Sequence, residues 1–443
     1  MTSNSSQKPR RSPKISISRK VAVEAFRAVL EKQQTLENAI TESANREKLD
    51  SRDRAFVVQL TSTALRRYGS LIGTLDFMME KPFKENATDV RAVILLGMTQ
   101  IFFMRTDDHA AVNESVNLLY GKRERYRGIA NAILRRSIRE RDEILSHMES
   151  TPEEDLPHWI ASSWTQTYGA EIVAKIAQCL RHPPKIDLTV KNDADRDDLA
   201  LELEAKIMPT GNLRIDPTDV SKLSGYDQGA WWVQDLATSI PATLLGDIKG
   251  KTVVDFCAAP GGKTMQLAAA GAQVIAVDRS KPRLKRLHAN MKRTWLKAKV
   301  ITDDALTVDL SDYEIDHILL DAPCTATGTL RRNPDMMWCK DPEDVIKLAG
   351  LQKRMLKRSF DLLPVGGTLI YCVCSLEAPE SIDPITDFLS RTKTAERRPI
   401  TSSEVGGLKE LITEDGDLLC LPHYLSDEGG MDGFYAARLT KTA

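Results

Sequence analysis

The chain has 443 residues, of which 42% are hydrophobic and 28% charged. That is the composition of a folded protein of two to four domains and argues against wholesale disorder. No stretch approaches 18 consecutive apolar residues and the N-terminus lacks the apolar core of a secretory signal, so neither a membrane span nor export is expected. Seven cysteines, an odd number, argue against a disulfide framework and for a reducing, cytoplasmic setting. None forms a zinc-type CxxC pair, so no metal is expected. The net charge of −1 hides a split: residues 1–150 hold 26 Lys/Arg against 19 Asp/Glu, the remainder 35 against 43.

Residues 1–17 are rich in Ser, Lys and Arg and hold no acid, which reads as a basic disordered tail adding little to nucleic-acid affinity. A mitochondrial transit segment is the competing reading. Residues 18–146 read as an all-α domain. Val21, Ala25, Val29 and Leu30 form one stripe at helical spacing, Phe56, Leu60, Ala64 and Leu65 another, and Val93 to Met104 a helix buried nearly all round. Residues 121–141 carry eight Lys/Arg against Glu124 and Glu140. Such a cluster is either a solvated helix face or a polyanion surface, and charge alone does not choose. The segments SRDRAFVVQL (51–60), LRRYGSL (65–71), LLGMTQIFFM (95–104), HAAVNESVNL (109–118) and GIANAILRR (128–136) resemble the NusB-like RNA-binding helical domain. The resemblance implies binding of structured RNA.

From 147 to 240, prolines punctuate shorter runs. IDLTVKN (186–192) and NLRID (212–216) read as strands and DRDDLALELEAKI (195–207) as a helix, giving a small α+β connecting domain. From 241 to 443 the runs KTVVDF, AQVIAVD, KAKVITDD, HILLDAP and GTLIYCVCS alternate with helical segments. That alternation implies a mostly parallel, doubly wound sheet whose ligands sit at the carboxyl ends of the strands. Residues 279–299 carry nine Lys/Arg and no acid, and the same two readings of a basic cluster stay open there.

VVDFCAAPGGKT (253–264) runs from a strand through a small-residue turn into a helix, leaving backbone N–H groups at the helix start. GGKT matches the end of a phosphate-binding loop, but that motif requires Gly at the position of Cys257. An S-adenosylmethionine turn fits better. The next strand ends in Asp278, placed to accept ribose hydroxyls, the third in Asp303 and Asp304, within reach of an adenine amino group, and the fourth in Asp321. One strand-end Asp is as often a helix cap, but acids at the ends of four strands, Asp255 of the first included, are not a pattern that isolated caps produce. Cys324 and Cys374 fall on the same rim. A thiolate there can attack carbon-6 of a cytosine and make carbon-5 nucleophilic toward a methyl donor. Cys179, Cys257 and Cys372 read as core residues.

DFCAAPGGKT, VDRS, LLDAPCTATGTLRRNPDMMW, GGTLIYCVCSLEAPE and MDGFYAARL resemble the successive motifs of the RNA 5-methylcytosine methyltransferases of the Sun/Fmu family. With the NusB-like segment in front, the layout is similar to that family's 16S ribosomal RNA subgroup. The resemblance implies a multidomain chain with a Rossmann-like α/β methyltransferase domain, S-adenosyl-L-methionine as cofactor and 16S rRNA as partner; a monomer is expected, and no metal. It further implies that Cys257, Ala258, Ala259, Pro260, Gly261, Gly262 and Lys263 form the cofactor loop. Asp278 and Asp304 would serve the ribose and adenine sides, and Asp321 would stand near both cofactor and base. Cys374 would be the nucleophile and Cys324 the group that releases product. Arg331, Arg332 and Lys340 could hold flanking phosphates, as could Arg123, Arg125 and Arg127 in the helical domain. Trp338 reads as either a base-stacking or a packing residue. Two departures stand out: Val373 replaces the family's Thr, and SLEAPES lacks the usual Asn. A transfer RNA substrate is disfavoured by the NusB-like segment, and a non-catalytic RNA-binding assembly factor by the intact cysteines and loop.

Overall fold

The computed structural model describes residues 15–443 apart from Pro82, Glu85 and Asn86, so almost all of the expected basic tail lies outside the described residues. The chain divides into two compact units, one made of residues up to Pro157 together with Asn333–Cys339, the other of His158–Arg332 and Lys340–Ala443.

The first unit contains helices α1 (Ile17–Lys32), α2 (Leu36–Glu47), α3 (Ser51–Arg66), α4 (Tyr68–Met78), α5 (Thr88–Phe103), α6 (Asp108–Asn117), α7 (Arg127–Arg139) and α8 (Arg141–Ser150). Its centre is α5, where Val90 and every residue from Ala92 to Ile101 are buried, as an all-round apolar helix requires. Asp50 and Asp107 stop their helices from fraying by accepting the N–H of Asp53 and of Ala110. The unit extends beyond the expected boundary at 146 because Asp155, itself buried, accepts the Ser70 N–H at 3.0 Å. A distant piece of chain completes its core. Trp338 stacks edge-on against Tyr68 with ring centroids 4.8 Å apart and donates its indole N–H to the Leu65 carbonyl at 3.0 Å. Cys339 is buried in the same cluster, and Asp335 accepts the Leu36 N–H at 2.8 Å. Trp338 is therefore a packing residue.

The second unit opens with two helices that the sequence reading did not place, α9 (His158–Tyr168) and α10 (Ala170–Leu180). Next come β1 (Ile186–Val190), α11 (Arg196–Glu202), β2 (Lys206–Ile207), β3 (Leu213–Ile215) and β4 (Trp231–Val233), which form an antiparallel sheet in the order β2-β3-β1-β4. The helix expected over 195–207 ends at Glu202: Glu204 takes a left-handed φ of 50°, and the chain turns into β2. Buried Arg214 grips buried Asp187 through two bonds of 2.6 and 2.7 Å, joining β3 to β1.

Then follow α12 (Leu236–Thr243), β5 (Thr252–Phe256), α13 (Gly262–Ala269), β6 (Gln273–Val277), α14 (Lys281–Thr294), β7 (Lys299–Ile301), β8 (His317–Asp321), α15 (Met336–Cys339, which belongs to the first unit), α16 (Pro342–Leu362), β9 (Thr368–Val373), α17 (Ile382–Arg391), β10 (Ala395–Arg397), β11 (Leu418–Cys420) and β12 (Phe434–Lys441). All five expected strands form. The sheet order is β10-β12-β9-β8-β5-β6-β7, parallel from β9 to β7, with β12 antiparallel to β9 and β11 pairing with β12. Strand order reverses between β5 and β8. Such a switch point opens a crevice at the carboxyl ends of the strands. Among the described residues no helix is long and apolar enough to cross a membrane.

Candidate active site

On one side of the switch point, the loop 257–263 leaves β5 with Cys257 at a left-handed φ of 62°. The N–H groups of Cys257 and Ala258 both donate to the Val277 carbonyl, at 2.9 and 3.2 Å, seating the loop on the end of β6. Gly261 has φ 108°, and a Cβ there would meet Leu287 Cγ at 3.1 Å, so backbone and space both call for glycine. Asp278 is buried. One of its oxygens accepts the Ala259 N–H at 3.1 Å and the other the Ser280 N–H at 2.8 Å. A carboxylate offers about four lone-pair sites, so two remain. Asp278, Asp304, Asp321, Cys257, Cys324 and Cys374 all line one cavity of about 540 Å³. Asp304 also accepts the Leu306 N–H at 2.9 Å, closing its own turn. Below the loop lies Asp255, wholly buried. One oxygen accepts the Thr264 hydroxyl at 2.6 Å and the other has no partner. Burial pushes its carboxyl up to about 7, with Thr264 pulling the other way.

The opposite side is assembled across strands. Cys324, three residues past the end of β8, and Cys374, the residue after β9, bring their sulfurs to 3.4 Å. Gly328 fixes the loop between them. Its N–H donates to the Cys374 carbonyl at 2.9 Å, its carbonyl accepts from Gly433 at 2.7 Å, and a Cβ there would lie 2.0 Å from the Gly433 oxygen. Behind the thiols sits Glu380, 0% exposed. It accepts the Thr325 N–H at 3.0 Å, the Thr325 hydroxyl, the Ser375 hydroxyl at 2.6 Å and the Gln352 amide at 3.1 Å. The residue following each cysteine is thus tied to one carboxylate. Glu377, also buried, accepts the Trp164 indole N–H at 2.7 Å. Burial raises both carboxyls above their ordinary range. The Cys324 thiol is pushed up by its hydrogen bond to Cys374, by burial and by the charges of Cys374 and Glu380.

Lys263 departs from the expected cofactor loop. It is absent from the cavity lining; its ammonium instead donates to Asp321 at 2.9 Å and lies 4.9 Å from the centre of the Phe434 ring. Burial opposes its charge, but Asp321, Cys372 and Cys374 more than offset that and hold it protonated. Of residues 257–263 only Cys257 faces the cavity; the others shape the turn. Arg331 and Arg332 are corrected from phosphate contacts to structural ones. Arg331, 1% exposed, donates to the Gly429 carbonyl and lies 3.8 Å from Asp432. Arg332 binds Asp432 at 2.9 Å and Asp235 at 2.6 Å. Lys340 stands 3.8 Å from Asp344. In the helical unit Arg123 pairs with Asp89, Arg127 donates to Asn117 at 2.9 Å, and Arg125 lies over the Tyr126 ring at 4.8 Å. Glu380, Glu377 and Gln352 escaped the sequence reading. The two acids of SLEAPE, three and six residues past Cys374, were the available signal for Glu377 and Glu380.

A family model described as 16S rRNA methyltransferase RsmB/F matches residues 242–440, and a model of the NusB family matches residues 16–139. The ribosomal RNA small subunit methyltransferase B of Pseudomonas putida is 36% identical over 96% of this chain and 98% of its own length. The protein of the same name from Cronobacter sakazakii is 32% identical over 96% and 98%. In fold the chain is similar to the crystal structure of PH0851, with a TM-score of 0.72 and 21% identity over 97% of this chain and 100% of that one. It is also similar to NSun6 from Pyrococcus horikoshii with SFG, with a TM-score of 0.56 and 20% identity over 65% and 98%.

Proposed function

Because the chain belongs to the ribosomal RNA small subunit methyltransferase B family, we propose that it methylates carbon-5 of a cytosine in 16S ribosomal RNA, with S-adenosyl-L-methionine as donor and a covalent cysteine–cytosine intermediate. The observation that carries this reading is the pair of thiols 3.4 Å apart on the same cavity as Asp278 and Asp304. The cavity volume lies within the usual range for a cofactor-sized ligand. Its acids suit a donor that bears a positive sulfonium, and Asp278 keeps lone pairs for ribose hydroxyls after serving Ala259 and Ser280. The donor set therefore fits S-adenosylmethionine, which when bound supplies an electrophilic methyl group.

The chain's own residues divide the remaining work. The Cys374 thiolate attacks carbon-6 of a cytosine swung out of its stack; the S–C6 bond forms and the C5=C6 electron pair moves to carbon-5, which takes the methyl group. Transfer of the carbon-5 proton to a base then leaves its electron pair to re-form the C5=C6 double bond, which breaks the S–C6 bond and expels Cys374 as the thiolate. Cys324, in contact with Cys374, is the group placed to assist that release. Asp321, braced by Lys263, presents a carboxylate to the base. Glu380 is a positioning residue that keeps the two cysteine loops in register.

The test is transfer of a tritiated methyl group from labelled S-adenosylmethionine to a 16S rRNA transcript, with bisulfite sequencing to locate the product. One cytosine protected from bisulfite in the treated transcript is expected. Absence of label, or label on transfer RNA alone, overturns the proposal.

A further inference from the structure

The basic segment 279–299 gives Arg279, Ser280 and Arg283 to the cavity wall, and the rest of it, which has no part in the chemistry above, takes a distinct form. Helix α14 buries Leu284, Leu287, Met291 and Thr294 against the sheet. Polar contacts hold its C-terminal half. Asn290 donates to the Pro260 carbonyl at 3.0 Å. Arg293 donates to the Tyr226 and Trp231 carbonyls at 2.7 and 3.1 Å while lying over the Tyr226 ring at 4.3 Å. On the outward face Lys281, Lys285, His288 and Lys292 follow one another at helical spacing, all exposed, along a rod of about 20 Å. Among the described residues no carboxylate lies within ion-pair distance of Lys281, Lys285, Lys292, Lys297 or Lys299.

Trp295 ends the row. It is 78% exposed, the one exposed tryptophan of six, and it occupies the left-handed position (φ 58°) that closes the helix. Glycine or asparagine is the economical residue there, and a bulky one is rare. Packing does not account for Trp295, since so little of it is buried. An aromatic face beside a row of unpaired cations matches a nucleic-acid strand, whose phosphates take the charges and whose unstacked bases take the ring. The row starts at the cavity, whose wall includes Ser280 and Arg283.

We infer that α14 and Trp295 form a docking surface for an unpaired stretch of the substrate RNA, with Lys281, Lys285 and Lys292 on successive phosphates and Trp295 stacked on a base. The inference rests on the proposed function for the identity of the RNA. The cluster at 121–141 is not equivalent, because Arg123, Arg136, Arg139 and Arg141 meet Asp89, Glu140 or Asp108.

The test uses full-length protein and a 16S rRNA transcript, with dissociation constants measured over a range of salt. Replacing Lys281, Lys285 and Lys292 together by Ala should weaken binding and lower the slope of log Kd against log salt by about two to three. Trp295→Ala should weaken binding roughly 5- to 100-fold with the slope unchanged, and Trp295→Phe should restore most of it. Thermal melting at the wild-type temperature establishes that the variants are folded. If folded variants bind with wild-type affinity and slope while the wild type transfers methyl groups, the surface is overturned and the activity stands. A wild type that binds the transcript through α14 but transfers nothing overturns the activity and keeps the surface. Loss in the lysine variant with none in Trp295→Ala overturns the stacking contact.

Discussion

The two sides of the catalytic crevice are built by different means. On the β5–β6–β7 side, each acid is held by residues close to it in the chain or by the adjoining loop: Asp304 by Leu306, Asp278 by Ser280 and Ala259. On the β8–β9 side, the groups that matter are joined over about fifty residues, Cys324 to Cys374, Thr325 to Glu380, Lys263 to Asp321. A binding side can be made of turns; a reacting side needs two strands brought into register. Damage to the first should therefore weaken affinity, and damage to the second should change the course of the reaction.

The largest effect expected is at the thiols. Cys374→Ala should lose methyl transfer by more than about 10³-fold and form no adduct, whereas Cys324→Ala should accumulate a protein–RNA adduct that survives denaturing gels. The opposite pattern would exchange the two roles. Next comes Glu380→Gln, which removes an acceptor shared by both cysteine loops. A misplacement of about 1 Å at a reacting centre costs about 10²-fold, so kcat should fall by 10- to 100-fold while calorimetric affinity for the cofactor holds. A variant with wild-type kcat would show that the loops stay in register without it. On the other side, Asp278→Ala should weaken cofactor binding by about 1.5–3 kcal/mol, the scale of charge-assisted hydrogen bonds. Unchanged affinity by calorimetry removes Asp278 from the ribose site.

A further effect, read in stability rather than in rate or affinity, concerns Asp255, which belongs to neither side but supports the loop. Its folded carboxyl titrates near 7, above the ordinary value of about 3.9, so the folded chain keeps a proton that the unfolded chain releases between those values. Stability from this group is complete below about pH 4 and is lost as pH rises toward 7, at no more than about 1.4 kcal/mol per pH unit. Asp255→Asn should flatten that dependence in chemical denaturation across pH 4.5–7.5. Parallel curves for the two proteins would place the carboxyl at its ordinary value.

The same contrast explains what the sequence disclosed. A strand followed by an acid, or by CAAPGG, is a local pattern, and five of the eight strands of the large sheet and Asp278 could be read from it. Lys263 could be read as part of the loop but not as the partner of Asp321, 58 residues away, because nothing local says which way its side chain turns. Arg331 and Arg332 look like an exposed basic pair until Asp235 and Asp432 arrive from separate parts of the chain. In α9 the buried positions, Ile160 and Trp164, are sparse, whereas α10 carries a stripe at helical spacing, Val173, Ile176, Ala177 and Leu180, that is legible in the sequence. Conversely, the nine cations of 279–299 were countable, but which of them face solvent without a partner was not.

The core that holds Trp338 and Cys339 has a bearing on modularity. Domains that are shuffled as units close their cores with their own contiguous chain. Here seven residues encoded far downstream, just past the Cys324 loop, supply an indole, a thiol and a capping carboxylate to the helical bundle. Cutting the gene after codon 157 would leave one product with an open hole and the other with a greasy, unsatisfied loop. The bundle's core therefore depends on the segment that follows the Cys324 loop, and grafting the helices onto a relative requires carrying 333–339 with them rather than with the sheet.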